Sequence, residues 1–530
     1  MTKSGKHLRD CPALGRPIKP VECGSGRGSA YQCPEGCPFF PFTPANYLQH
    51  GEIEDRLIQK TYARAAREMN AAERESMIRA LDDSDGATDE VLVNHARFAW
   101  RYHWQRDAQG RTFGERWLAD KASGLNNDER VLLAGMNAMR PVLLEVHRIL
   151  DEQTIEGVDL LDGHALRIID RAHAAAVVRY SAVLTWVYPM PHYERTSGGA
   201  LFIPEVQGMA PEEIVREVIR HLSGPADPVG ERAWLAQHFA RTCEALGAVQ
   251  LARWQDAMSG MDARYTKTDY RVRNPARLCA QLARRKDVRE EEGPLTEEQA
   301  QGFEKEYVWL KEAVAAEPGQ LALPLMGKGK VAAGPLVLGR ILVGPKRVRI
   351  EAMTRARHHE LRARFERLAA GQVEFLGERA DDLGAQTFAR SAPPFDAALV
   401  PPRLRESPPQ LALSTHRVAV TGGDHQPSLL EALRHQYATF LDEPLLGLDG
   451  RTPRAAAADP ALRPRLVSLM KTHIRGADSR RRKEGLDLDL NPMLAELGLH
   501  ELISEPPPLG FGAGEMDEED ELDEEAAEVR

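Results

Sequence analysis

Four cysteines, Cys11, Cys23, Cys33 and Cys37, stand within the first forty residues of a 530-residue chain that holds six in all. Thiolates are soft ligands, and four of them close a tetrahedral shell around one Zn2+. Cys33 and Cys37, with three residues between them, can approach the ion as neighbouring ligands of one turn, and Cys11 and Cys23 would complete the shell. Such a shell leaves no position for water, so it is structural: it stabilises a fold and performs no reaction. Disulfides and unligated thiols are the competing readings. The opening residues, Met1 to Leu8, hold no apolar stretch for export, which favours a reducing, cytoplasmic setting and with it the metal. His7 and His50 are spare ligands by type, though each reads more simply as a surface histidine. Cys243 falls with Leu235, Phe239 and Leu246 on one helical face, and Cys279 sits in another helix, so both read as core thiols.

Other chemistry is sparse. The runs 327–330 (Gly-Lys-Gly-Lys) and 422–425 (Gly-Gly-Asp-His) lack the spacing of a phosphate-binding loop, and no nucleophile elbow, zincin helix or kinase set occurs. His358, His359, Glu378, Asp381 and Asp382 are ligand or acid types. Charged helix surface and a loop paired through Arg379 explain them as well.

The segment running from Cys23-Gly24-Ser25-Gly26 to Tyr31 and Cys33 resembles the core of the SEC-C zinc motif at the tail of the SecA translocase. In this chain Val21 stands where that motif places a first cysteine, and the last ligand is displaced to Cys37. The resemblance implies a structural Zn2+ and covers about a dozen residues.

The elements that must position these groups differ along the chain. Ile53, Leu57, Tyr62 and Ala66 recur at helical spacing, and a second helical stretch carries Phe98, Trp100, Tyr102, Trp104 and Trp117, an aromatic cluster that reads as core. From residue 140 the period shortens. Val142 to Val146, Thr154 to Leu161, Ala165 to Ile169, Ala182 to Tyr188 and Leu201 to Ile203 predict strands of a small barrel or curled sheet, with a hairpin turn at Asp162-Gly163. Helices return at Glu212 to Leu222 and Arg232 to Met258. Beyond Met261 the predicted order is strand, helix, helix, strand, strand, helix, strand, an α+β pattern.

No apolar run approaches the length of a membrane span. The formal net charge of -10 comes almost wholly from the acidic end of the chain, beyond Glu515, which reads as a solvated tail. The remainder is nearly neutral, which argues against direct nucleic-acid binding, although a local patch could hide within a neutral total.

A second pattern lies near the end. Phe440, Leu441 and Pro444 lead through Leu445 and Leu448 to Asp449, Gly450, Arg451, Thr452 and Pro453. This predicts a helix ended before Pro444, a turn at Asp449-Gly450, and a helix restarted by Thr452 as N-cap with Pro453 at its first position. The stretch resembles the toxin-binding domain of Xre/MbcA/ParS-like antitoxins. That resemblance implies a protein partner, a RES-type toxin among the candidates, engaged through Phe440, Leu441, Pro444, Leu445, Leu448, Gly450, Arg451, Thr452 and Pro453. The helix-turn-helix unit that usually precedes this domain is not evident; a proline-rich stretch precedes it instead. As a whole the chain resembles an uncharacterised bacterial family joining these two ends.

The fold class expected is multidomain α+β. Its parts are a zinc module (1–43), a helical region (44–139), a small β-barrel-like unit (140–205) and a second helical region (206–260). An α+β domain (261–390), a proline-rich linker (391–426), a C-terminal helical domain (427–503) and the acidic tail (504–530) follow. The function expected is a zinc-stabilised interaction or regulatory protein. The alternative is an enzyme with a site near Glu378 to Asp382.

Overall fold

The computed structural model describes residues 8–68, 97–206, 209–225, 227–260, 264–291, 301–311, 336–383, 392–406 and 440–508, with positions 385, 386, 389 and 437. The expectations resting on His7, 327–330, 422–425 and the acidic tail lie outside these residues.

The fold is mixed α+β and divides into two compact units. The first comprises Met1–Gln250, Phe395–Leu413 and Gln426–Arg530; the second comprises Leu251–Pro394 and Ser414–His425. The segments read from sequence as separate modules at 1–43, 44–139, 140–205 and 427–503 therefore share one unit.

In the first unit a short antiparallel pair, β1 (Arg9–Cys11) and β2 (Arg16–Ile18), leads into α1 (Pro20–Gly26). The helix α2 (Tyr47–Glu68) follows, burying Ile53, Leu57 and Ala65 on one face. Phe98, Tyr102, Phe113 and Trp117 form successive edge-to-face ring contacts, and Tyr102 and Trp117 are buried, as expected of a core cluster. α3 (Phe113–Ala119) and α4 (Asn127–Met136) each begin with a capping box, Thr112 with Glu115 and Asn126 with Glu129.

Residues 140–202 close into a five-stranded barrel. Its strands are β3 (Arg140–Ile149), β4 (Thr154–Asp159), β5 (Ala165–Ile169), β6 (Ala182–Pro189) and β7 (Glu194–Phe202). The order is β3-β4-β5-β7-β6, antiparallel except where β5 meets β7 at Ile168 and Glu194. A short helix, α5 (Arg171–Ala176), bridges β5 and β6. Val142, Leu144, Val146, Ile155, Leu166, Ile168, Val183 and Val187 fill the core. Gly157 is needed where β4 crosses β3, because an added Cβ would lie 2.2 Å from the Glu145 carbonyl oxygen. Beyond the barrel, α6 (Pro211–His221), α7 (Pro228–Gln237) and α8 (Phe239–Gly260) follow. The single helix expected over Arg232 to Met258 is thus two, broken at His238, whose backbone leaves helical geometry (φ -113°, ψ 24°).

The second unit carries a six-stranded antiparallel sheet. Its strands are β8 (Arg264–Val272), β9 (Val288–Glu291), β10 (Lys305–Lys311), β11 (Leu336–Val343), β12 (Arg347–Ala352) and β13 (Val373–Asp382), ordered β13-β8-β12-β11-β10-β9. The helices α9 (Pro275–Ala283) and α10 (Arg355–Leu368) pack Leu278, Leu282, Leu361 and Phe365 into one core with Tyr270, Tyr307, Trp309 and Ile350. Two findings differ from the expected order. The strands β9 and β10 follow α9, where Val288 and the alternating Tyr307 and Trp309 pack a sheet face; residues 292–300, between them, lie outside the described residues, so the second of the two consecutive helices is not tested there. The residues Glu378, Asp381 and Asp382, read as a loop, continue β13 past a bulge at Phe375/Gly377 and pair with β8.

The C-terminal helices belong to the first unit: α11 (Pro453–Ala457), α12 (Arg463–Glu484) and α13 (Asn491–Glu496). Thr452 caps α11 by accepting the Ala455 N–H, and Pro453 occupies the first turn, as the sequence predicts. Asp449 and Gly450 both take positive φ, 53° and 75°, in the turn that returns Arg451 to pair with Leu445. α12 docks on the barrel. Arg482 donates to the carbonyls of Ala174, Ala175 and Val177, the exposed end of α5, while the Lys471 ammonium sits 2.7 Å from the buried Glu145.

Candidate metal centre and the buried polar network beside it

The cysteine segment is built from tight local turns. After β1 the Cys11 carbonyl accepts the N–H groups of Leu14 and Gly15, turning the chain into β2, and Pro20 opens the helix that carries Cys23. Gly26 lies against the Tyr31 ring, where an added Cβ would come within 2.5 Å. That close approach folds the chain back so that Cys33 follows. The Cys37 N–H then bonds the Pro34 carbonyl, and the Phe40 N–H bonds that of Cys37.

All four cysteines are free and buried, Cys11 and Cys23 forming a small core with Ile18. Burial pushes the Cys33 thiol up; the Gly28 N–H opposes this, and the charges of Cys37, Cys23 and Cys11 add to it. The other three sulfurs thus lie within electrostatic reach of Cys33. Among the described residues no group of three or more His, Cys, Asp or Glu side chains is placed to hold a metal ion. The donor set nevertheless suits a soft cation, since sulfur is the ligand that a structural Zn2+ takes in a closed four-coordinate shell. His50 is not a ligand candidate, since it lies buried against Phe42, Tyr188 and Tyr193 rather than at the surface.

The module is fastened to its surroundings by polar contacts. The Arg27 guanidinium grips Asp128 at the start of α4 with two hydrogen bonds, 2.9 and 2.6 Å, and donates to the Phe39 carbonyl. Asn127 returns a bond to the Arg27 carbonyl. On the barrel side His192 Nε2 donates to the Cys33 carbonyl at 2.7 Å, and Arg167 pairs with Glu35.

Next to the module, through the edge-to-face rings of Phe40, Phe42 and His50, lies a buried network that the sequence reading did not find. Tyr188 donates to Glu54 at 2.8 Å; Arg195 donates to Glu54 at 3.3 Å and stands 3.6 Å from Asp170. Thr196 donates to Asp170, as does the His173 N–H. Burial raises the Glu54 carboxyl despite the Arg195 charge and the Tyr188 bond. Burial works in the same direction on Asp170, but His173 and Arg195 outweigh it and hold that carboxyl well below its usual range. Burial and Arg195 together push His50 down to about 3. Two carboxyls driven apart across one guanidinium can divide into acid and base. Here both are closed off, with side-chain exposures of 14 % and 10 %. Arg195 Nε and His173 Nε2 have no hydrogen-bond partner among the described residues, and His173 turns Nδ1 toward Asp170. The network ties α2 to β6, β7 and α5. Only a weak signal marked it: His50 and Glu54, at i and i+4, bracket the buried Ile53.

The nine residues read as a partner surface divide by burial. Phe440, Leu441, Leu445, Leu448 and Pro453 are buried, Thr452 is partly so, and Pro444, Gly450 and Arg451 are exposed. Of the acids near Glu378, which lie along an edge strand, Glu378 pairs with Arg362 at 2.7 Å and bonds Thr268, which also meets His358 at 2.8 Å, while Asp382 pairs with Arg264 at 3.6 Å. Among the described residues no helix is long and apolar enough to cross a membrane. Compared with known families, curated proteins and solved structures, the chain matches no family model, no curated protein and no solved structure.

Proposed function

We propose that this is a zinc-stabilised protein-interaction protein, in which Cys11, Cys23, Cys33 and Cys37 hold one structural Zn2+. The observation that carries this reading is that all four cysteines of the 1–43 segment are free and buried, two of them, Cys11 and Cys23, packed with Ile18 in a small core of their own. So small a core does not hold a fold by itself, and a metal-thiolate centre supplies what is lacking. The ion performs no reaction on this reading. It sets the path of the chain from Cys11 to Cys37, and Arg27 and His192 transmit that path to α4 and the barrel. The partner surface is the exposed part of the C-terminal turn, Pro444, Gly450 and Arg451, standing on the buried Phe440, Leu441, Leu445 and Leu448. A RES-type toxin is the partner class that the resemblance to antitoxins implies.

Elemental analysis of protein purified without added metal and without chelator tests the central claim. We expect one zinc per chain, released together with a loss of near-ultraviolet circular dichroism on prolonged treatment with a strong chelator. Metal-free protein with unchanged thermal stability would refute it.

A further inference from the structure

Near-neutral charge outside the acidic tail conceals a difference between the two units. The unit comprising Leu251–Pro394 and Ser414–His425 holds 26 Lys and Arg against 21 Asp and Glu, whereas the rest of the chain as far as residue 514 holds 42 against 48. Within the basic unit the excess has a place. Arg273, Arg277, Lys346 and Arg367 are exposed and form no ion pair among the described residues. They gather at one end of the sheet: the Arg273 N–H bonds the Gln372 carbonyl, the Val272 N–H bonds the Lys346 carbonyl, and Gln372 reaches Gln281 on α9 at 2.7 Å. Arg367 lies in the last turn of α10, just before that junction. Arg284 and Lys286, likewise exposed and without an ion pair among the described residues, extend the row past the far end of α9, about 10 Å along at 1.5 Å per residue. α9 carries no acidic residue, and the acids nearby are neutralised: Asp287 by Arg285, Glu360 by Lys311 and Arg364, Glu366 by Arg362, Glu374 by Arg271.

The same end presents an aromatic ring. Phe375 aligns with Tyr270 and touches its ring on the helix-covered side of the sheet. Because β13 is the outermost strand, Phe375 is 49 % exposed. The Arg362 guanidinium lies over it, 5.0 Å from the ring centroid.

Cations without counter-charges bind phosphates, and arginine's planar fork suits them. An exposed ring flanked by arginine is the surface on which an unpaired base stacks. We propose that this end of the six-stranded unit binds single-stranded nucleic acid. Arg273, Arg277, Lys346 and Arg367 hold the phosphodiester backbone, and Phe375 with Arg362 receives a base. The ring favours a single strand over an acidic peptide, which would use the cations alone, and over a duplex, whose bases are already stacked.

The test is fluorescence anisotropy of the full chain with a labelled mixed-sequence single-stranded RNA or DNA of twenty nucleotides, titrated at several salt concentrations. We expect binding that weakens linearly in log-log form with salt. A combined Arg273→Glu, Arg277→Glu and Arg367→Glu chain should bind about tenfold more weakly or worse, and Phe375→Ala about fivefold more weakly, with unchanged circular dichroism. Should the triple variant lose its fold, Arg277→Gln and Phe375→Ala singly carry the test, both positions being exposed. The proposal is overturned by any of three results: no binding at low salt, Phe375→Ala binding as tightly as the parent, or polyglutamate or duplex competing as well as unlabelled single strand.

Discussion

Arg179 and Asp478, 299 residues apart in sequence, form a two-point ion pair in the first unit, with Nε to Oδ2 at 2.7 Å and NH2 to Oδ1 at 2.8 Å, and side chains only 3 % and 1 % exposed. The third guanidinium nitrogen of Arg179 donates to Ser504, and the neighbouring Tyr180, held at φ 61°, bonds the Leu502 carbonyl through its hydroxyl. The pair thus joins the barrel to α12 and to the chain beyond it.

Breaking a buried pair leaves one charge stranded, at a cost of about 3 to 5 kcal/mol. Arg179→Met or Asp478→Leu alone should lower stability of the first unit by that amount in urea unfolding. The double variant should recover most of it, because apolar replacements of similar volume need no desolvated charge.

Metal content separates the six cysteines. Replacing any one of Cys11, Cys23, Cys33 or Cys37 by Ser should reduce bound zinc by most of its value, since three thiolates leave the ion open to water. Cys243→Ser should leave zinc content unchanged although it destabilises the protein, because this thiol is wholly buried in α8. Equal zinc content in all five variants would remove the proposed centre.

Stability should fall on mild acidification. His50 and His103 are buried, pushed down by burial to about 3 and about 4 from an ordinary 6.5. A depressed histidine costs the folded state nothing while it is neutral in both states. As pH drops below about 6.5 the unfolded chain takes up the proton first, and folding loses about 2 kcal/mol per histidine by pH 5. The loss continues until the folded histidines themselves protonate near pH 3 to 4. Glu54, whose carboxyl burial raises, works the other way, since it takes up its proton first in the folded state, so comparing the thermal midpoints of the parent and His50→Gln between pH 7 and 5 is what isolates the histidine. His50→Gln should remove about half of the slope.

At the C-terminal turn, Phe440→Ala should cost about 3 to 5 kcal/mol, because Phe440 is 3 % exposed and packs edge-on against His473. Arg451→Glu, at an exposed position, should cost less than about 0.5 kcal/mol. It should weaken co-purification of a co-expressed RES-type toxin if the turn is the partner surface. Undiminished recovery of the toxin would locate the contact elsewhere.

Local chemistry was legible in the chain. The Cys33/Cys37 turn, the Thr452-Pro453 helix start, the Asp162-Gly163 hairpin and the alternation that builds the barrel each depend on neighbours a few residues apart, whose spacing is written directly in the order of residues. The closing of the barrel through Ile168 and Glu194, the burial of His50 beside Tyr188 and Arg195, and the pairing of Arg179 with Asp478 were not legible. Each joins residues from distant segments, and a charged or polar side chain looks the same in sequence whether water or a partner satisfies it. The basic end of the second unit was hidden for a related reason: a net charge sums over the chain, and only the fold sorts which cations meet an acid and which face solvent.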